Sequence, residues 1–151
     1  MRVARAAVAG VVGAVAYLVA QEVDRRLVNP RSNDLVLIGG LFTASRSVAR
    51  GLLGLVLHVL GGVSLGLAFE GFVARHLRGP YLLRGIVMVQ VESALVFPSV
   101  FLFDRCHPAV ESGELAPLGR PVYFVQQAWR HLALGATIGA LLGPDDARGS
   151  R

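Results

Sequence analysis

Four apolar runs, Val3–Ala20, Leu52–Phe69, Tyr81–Phe103 and Val122–Gly143, constrain what this chain can become. A helix needs roughly 20 apolar residues to cross about 30 Å of hydrocarbon. The last two runs reach that length outright. The first two reach it with their semi-polar flanks, the second continuing weakly toward Ala74 so that its span covers about 52–73. None of the runs alternates with a period of two, and all are too long for barrel strands. The expectation is an all-α membrane protein: a four-helix transmembrane bundle forming one domain over residues 1–151.

Composition supports lipid as the solvent. Hydrophobic residues make up 54% of the chain and charged residues 17%, against about 25% charged in an ordinary globular protein. A soluble domain of 151 residues could not easily hide so much apolar surface. Every basic residue is arginine, and Ala, Gly, Val and Leu are abundant, a bias of GC-rich bacterial genomes. The expected location is the bacterial inner (plasma) membrane, with several passes. A net charge of +5 and a pI near 10.6 raise nucleic acid as a partner. The arginines, however, sit mostly at the ends of the apolar runs, where they meet headgroups and water, and no basic stripe with interleaved aromatics is visible. The expected partner is the bilayer, with a second copy or another membrane protein as candidates and nucleic acid excluded. The single cysteine, Cys106, excludes an intrachain disulfide.

The first run has an alternative reading as a signal peptide, with an arginine-bearing start and small residues between Gly13 and Ala20. Its length and the spans that follow favour a membrane helix. Between the first two runs, Leu35–Ala44 is apolar but too short to span, and reads as an interfacial or re-entrant segment. Glu22, Asp24, Arg25 and Arg26 read as a solvated helix end. The tail 144–151 is polar. Basic residues divide evenly between the two faces, so the positive-inside rule does not decide orientation. The dense turn with Arg75 and Arg78 favours cytoplasmic termini. Pro98 is expected to kink the third helix or mark its last turn, and Tyr81, Tyr123 and Trp129 are candidate interface anchors.

A pattern occurs twice. The second span carries His58, Gly62, Ser64 and Gly66, and the fourth carries His131, Gly135, Thr137 and Gly139. Both read His-x-x-x-Gly-x-x-x-Gly, with a small hydroxyl two residues after the first glycine. Residues at i, i+4 and i+8 share a helical face. Each helix therefore presents a histidine above a smooth groove where a second backbone can approach closely. Gly62, Gly66, Gly135 and Gly139 are the expected packing positions, with the histidines as polar glue. Both copies run the same way across the membrane, which fits a two-plus-two parallel repeat.

Ionisable residues fall inside the spans. Glu92 lies near the middle of the third, and Arg130 and His131 well inside the fourth. A charge at mid-bilayer costs at least about 2.5–3.5 kcal/mol on insertion scales, so such groups face inward and find partners. The expectation is a buried polar cluster of His58, Glu92, Arg130 and His131, with Glu92 paired to Arg130 or His131. It reads either as an ion pair fixing helix register or as a proton or ligand site.

Other chemistry finds less support. His58 and His131 are conceivable axial ligands for a haem, but two histidines in a bundle are a weak signature, and no cofactor is expected otherwise. Asp104, Cys106 and His107 form a compact ligand set without the usual metal spacing, so no metal site is expected. No phosphate loop, nucleophile elbow or zinc-hydrolase motif is present.

Several blocks occur in a fixed order: Asn33-Asp34 through Gly39-Gly40, Leu57-His58 with Gly62, Arg84-Gly85, Phe97-Pro98, and His131 through Gly135. Over residues 6–143 the chain resembles small four-span bacterial inner-membrane proteins with paired His-x-x-x-Gly helix motifs. The resemblance implies the four-helix plan and the His/Gly faces and implies no reaction. The leading reading is a non-enzymatic accessory or structural membrane component. The alternatives are a small transporter or proton/ligand-binding protein using the Glu/Arg/His cluster, and a haem-binding subunit. A cavity beside the cluster favours a ligand site; a dry, filled interior favours packing alone.

Overall fold

The computed structural model describes residues 2–44 and 46–143. These residues are helical or in connecting turns, with no strand among them. Six helices follow in order: α1, Arg2–Leu27; α2, Asp34–Gly40; α3, Val48–His76; α4, Tyr81–Cys106; α5, Pro108–Glu111; and α6, Pro121–Leu142. The polar tail from residue 144 onward lies outside the described residues.

Local chemistry sets the boundaries. The Asn33 side chain accepts from the N–H groups of Leu35 and Val36, capping α2. Proline stands in the first turn of α5 and of α6, where its missing N–H leaves no bond unmade. Pro98 cannot donate to the α-helical ladder, so Phe97–Ser99 tightens to a 3-10 turn before the helix resumes at Val100. In α3 the opposite occurs, and Phe69–Val73 widens to a π-helical turn.

Three helices, α1, α3 and α4, are long and apolar enough to cross a membrane. Helix α6 has 22 residues, but its buried face is more polar and carries Gln126, Gln127 and Arg130. The distribution of polarity is inverted relative to a water-soluble protein. Val8, Val12, Val15 and Val19 of α1, Leu52, Val56 and Leu60 of α3, Leu83, Val87, Val91 and Leu95 of α4, and Phe124 and Val125 of α6 are exposed. Gln21, Asp24, Asp34, Gln126, Gln127 and Arg130 are buried. Monomers in water rarely expose contiguous apolar surface on this scale.

The long helices pack in the order α3, α1, α6, α4, each against the next. Glycine determines two of these seams. An added Cβ on Gly62 would stand 2.6 Å from the Gly10 carbonyl oxygen, and one on Gly135 would stand 2.6 Å from that of Gly85. One turn on, Gly66 abuts the backbone of Ala6, and Gly139 that of Tyr81. The four motif glycines thus lie where α3 meets α1 and where α6 meets α4, with backbone against backbone. No flexible side chain is there to yield. Gly62→Val or Gly135→Val should therefore lower stability in detergent by about 3 kcal/mol, the upper end of the overpacking range. Gly61→Ala, whose added methyl meets nothing within 4 Å, should not. Thermal unfolding in micelles distinguishes the two classes.

Helices α2 and α5 close the end of the molecule at which α1 finishes. Helix α2 lies against α3, with Leu35 backbone over Gly54 and Gly39 over Arg50. His107 Nδ1 accepts from the Ala109 N–H at 3.2 Å, so Nε2 carries the proton and donates to the Leu37 carbonyl at 2.9 Å. Ala116 N–H donates to the Arg31 carbonyl at 2.9 Å, and Arg50 pairs with Glu114.

The sequence reading needs correction at the end of α1. The helix continues past Ala20 to Leu27, and Asp24 is not solvated: it is 6% exposed because Arg130 meets its carboxylate. Only Glu22, Arg25 and Arg26 behave as a wet helix end, with Glu22 pairing to Arg25 at 3.1 Å and to Arg26 at 2.7 Å.

Candidate functional site

Two polar assemblies occupy the interior. The first centres on Arg130, which is fully buried. Its Nε and Nη2 form a fork onto Asp24, at 2.6 and 2.5 Å. Nη2 also donates to Ser32 Oγ at 2.8 Å, while Nη1 donates to Asp34 Oδ2 at 3.0 Å and to Gln21 Oε1 at 3.4 Å. Asp34 accepts further bonds from the Tyr17 hydroxyl, from the Tyr123 hydroxyl at 3.2 Å and from Gln127 Nε2 at 3.0 Å. Gln126 Nε2 adds a bond to Asp24 at 2.5 Å. Burial alone would raise the Asp34 carboxyl. The adjacent guanidinium and these donors outweigh it and hold the group below its ordinary value near 3.8. The assembly ties α1, α2 and α6 together, and its donors and acceptors are largely spent on one another.

The second assembly borders a cavity of about 230 Å³ between α3 and α4, floored by α1 and α6. Its lining is mostly apolar, with Leu57, Leu65, Val96 and Phe97 on the walls. The ionisable groups nearest Glu92 are His131, His58 and Tyr17; Ser93, Ser99, Tyr123, Gln127 and Asp34 complete the polar lining. The Tyr17 ring lies against both imidazoles, with centroids 4.8 Å from His58 and 5.1 Å from His131. His58 Nε2 is 3.3 Å from the Ala14 carbonyl oxygen. His131 Nδ1 donates to the Gln127 carbonyl at 2.8 Å, and its Nε2 stands 3.6 Å from Glu92 Oε2.

The structure thus brings His58, Glu92 and His131 to one cavity and takes Arg130 elsewhere. Neighbouring residues on a helix point about 100° apart. With His131 aimed at Glu92, Arg130 is turned toward α1 and α2, so the expected Glu92–Arg130 pairing does not form. Tyr123 is likewise no interface anchor. It is 3% exposed and bonds Asp34. Trp129 is exposed among the outward apolar side chains.

The sequence reading assigns no buried polar role to Tyr17, Gln21, Asp24, Asp34 or Gln127, all of which belong to these assemblies. A signal for the first three was present. Tyr17, Gln21 and Asp24 continue, at helical spacing, the face of α1 that carries Ala6, Gly10 and Gly13. A polar continuation of a small-residue stripe marks the same buried face.

The ligand possibilities narrow on geometry. A haem held by His58 and His131 would need a free nitrogen of each ring at the iron, while His58 Nε2 lies 3.3 Å from the Ala14 carbonyl oxygen, His131 Nδ1 donates to Gln127, and the Tyr17 ring packs on both. Asp104 accepts from the Leu118 and Gly119 N–H groups, His107 is committed to Leu37 and Ala109, and the exposed Cys106 thiol donates to the Leu102 carbonyl. No group of three His, Cys, Asp or Glu suited to a metal occurs among the described residues. Comparison with protein-family models, with curated proteins and with solved structures yields no match.

Proposed function

We propose that this chain is a four-span bacterial inner-membrane protein that binds or carries a lipophilic ligand, held in the cavity between α3 and α4. The cavity beside Glu92 and His131 carries the reading. A packing-only component has no need of a half-open cleft that converges on ionisable groups. Sites for small molecules are mostly apolar concavities with a few convergent polar groups, which describes this lining.

The membrane setting draws support from the three apolar helices and the outward apolar side chains. Counting α6 as the fourth span rests on its 22 residues and on its seams with α1 and α4. A two-plus-two repeat is supported by register. The pairs Gly10–Gly62 and Ala6–Gly66 correspond to Gly85–Gly135 and Tyr81–Gly139. The same shift along the chain carries Tyr17 onto Glu92 and His58 onto His131. Tyr17 beside His58 thus has its counterpart in Glu92 beside His131. A strict twofold would also press α3 on α4 as α1 presses on α6. That seam is not closed in the same way, and the cavity occupies it.

Native mass spectrometry of protein purified in mild detergent tests the reading. The expected result is one bound lipophile per chain, of one mass class, that survives delipidation. Only a statistical ladder of detergent and bulk lipid adducts would contradict it.

A further inference from the structure

The cavity has a charge state that can be worked out from its hydrogen bonds. His131 commits Nδ1–H to the Gln127 carbonyl, so in the neutral imidazole Nε2 is a lone pair. That lone pair faces Glu92 Oε2 across 3.6 Å, and this oxygen is buried with no hydrogen-bond partner. The Glu92 side chain is 39% exposed as a whole, but with this oxygen buried, two acceptors face to face are best satisfied by one proton between them. Whether it resides on carboxyl or imidazole, the pair sums to zero charge.

Of the other titratable groups facing the cavity, the tyrosines and Asp34 are already committed elsewhere. From α1 and α6, the hydroxyls of Tyr17 and Tyr123 are given to Asp34. From α2, Asp34 is held by Arg130. From α3, His58 gives its Nε2–H to the Ala14 carbonyl and in that form is a neutral imidazole with Nδ1 as a lone pair. No arginine lines the cavity. With His58 neutral, loss of the shared proton to water leaves one uncompensated negative charge. The rings of Tyr17, Phe97, Phe103 and Tyr123 also line the cavity, and aromatic faces attract cations, as in cages for quaternary ammonium.

Resting on the reading of this cavity as a ligand site, we propose that its ligand is a lipophilic organic cation, and that the cation enters in exchange for the proton shared by Glu92 and His131. The proton leaves to water, the cation takes its place, and the site stays neutral. An anion meets no countercharge, and a neutral molecule gains nothing from Glu92. At about 230 Å³ the cavity lies below the range of about 300–1,000 Å³ typical of drug-sized sites. It suits a cationic head whose apolar remainder lies between α3 and α4.

The test uses the full chain in detergent, titrated with benzyltrimethylammonium and with its neutral carbon isostere, neopentylbenzene. Calorimetry in two buffers of different ionisation heat counts the protons released. The expected result is one cation bound, preferred over the isostere, with close to one proton released at pH below the pair's midpoint. Below that midpoint, affinity falls about tenfold per pH unit, as one-proton linkage requires. Glu92→Gln, which keeps the shape, is expected to lower cation affinity on the order of a hundredfold or more, the worth of one charge contact at partly buried distance, while leaving isostere binding unchanged. Equal binding of cation and isostere without proton release overturns the exchange and leaves the ligand site standing. Undiminished cation binding by Glu92→Gln overturns it too. Failure of both probes to bind removes the exchange and the ligand site together.

Discussion

Arg130→Leu should leave little or no folded protein in the membrane. The guanidinium is fully buried and spends its donors on Asp24, Asp34, Gln21 and Ser32. Its removal strands two carboxylates, each at most 7% exposed. Breaking a buried pair by deleting one partner costs about 3–5 kcal/mol, and here one deletion breaks two pairs. The effect is comparable to the whole stability of many domains, about 5–15 kcal/mol. Arg130→Lys should recover only part of it, because a point charge cannot reproduce the fork on Asp24 while also reaching Asp34. Combining Arg130→Gln with Asp24→Asn and Asp34→Asn should fold better than Arg130→Leu alone, since no charge is then left unpaired. The pH dependence has a definite sign. Because the folded state lowers the Asp34 pKa, its contribution is complete above the ordinary value near 3.8 and drains away as pH falls through the lower folded value. Monodispersity in detergent on heating, read across these variants, measures each effect.

The second large effect concerns the cavity and not the fold. Gly61→Trp should abolish retention of the bound lipophile while the protein keeps its helicity and melting temperature. Gly61 borders the cavity, and an added Cβ there meets nothing within 4 Å. An indole can therefore grow into the open space without displacing backbone. An indole is the bulkiest rigid group a single substitution can place beside a cavity of only about 230 Å³. Native mass spectrometry beside circular dichroism reads both halves of the prediction. Bound lipophile persisting in Gly61→Trp would show that retention does not use this cavity.

These expectations rest on features that were unequally legible in the sequence. Helices α1, α3 and α4 announce themselves by apolar length, and the glycines at positions 62, 66, 135 and 139 by spacing alone. Both are local signals, governed by the period of one helix. The partners of Arg130 were hidden for the opposite reason. Asp24 sits beside Glu22, Arg25 and Arg26 in a run that looks uniformly wet, and only the rotation of α1 separates the inward carboxylate from its outward neighbours. Asp34 follows a loop, and what draws it inward is the fold of residues 28–33 over the end of α1, which no periodicity records. The approach of Glu92 to His131 was readable from their matched positions along the apolar runs. The diversion of Arg130 needed the direction of each side chain around α6.

A cryo-electron microscopy map of the protein in a lipid nanodisc measures the central claim most directly. The account requires α1, α3, α4 and α6 to cross the disc, with a gap between α3 and α4 that holds non-protein density against Glu92 and His131. A map in which α3 closes on α4 to leave a dry, filled seam, or in which α6 lies outside the bilayer, would contradict it.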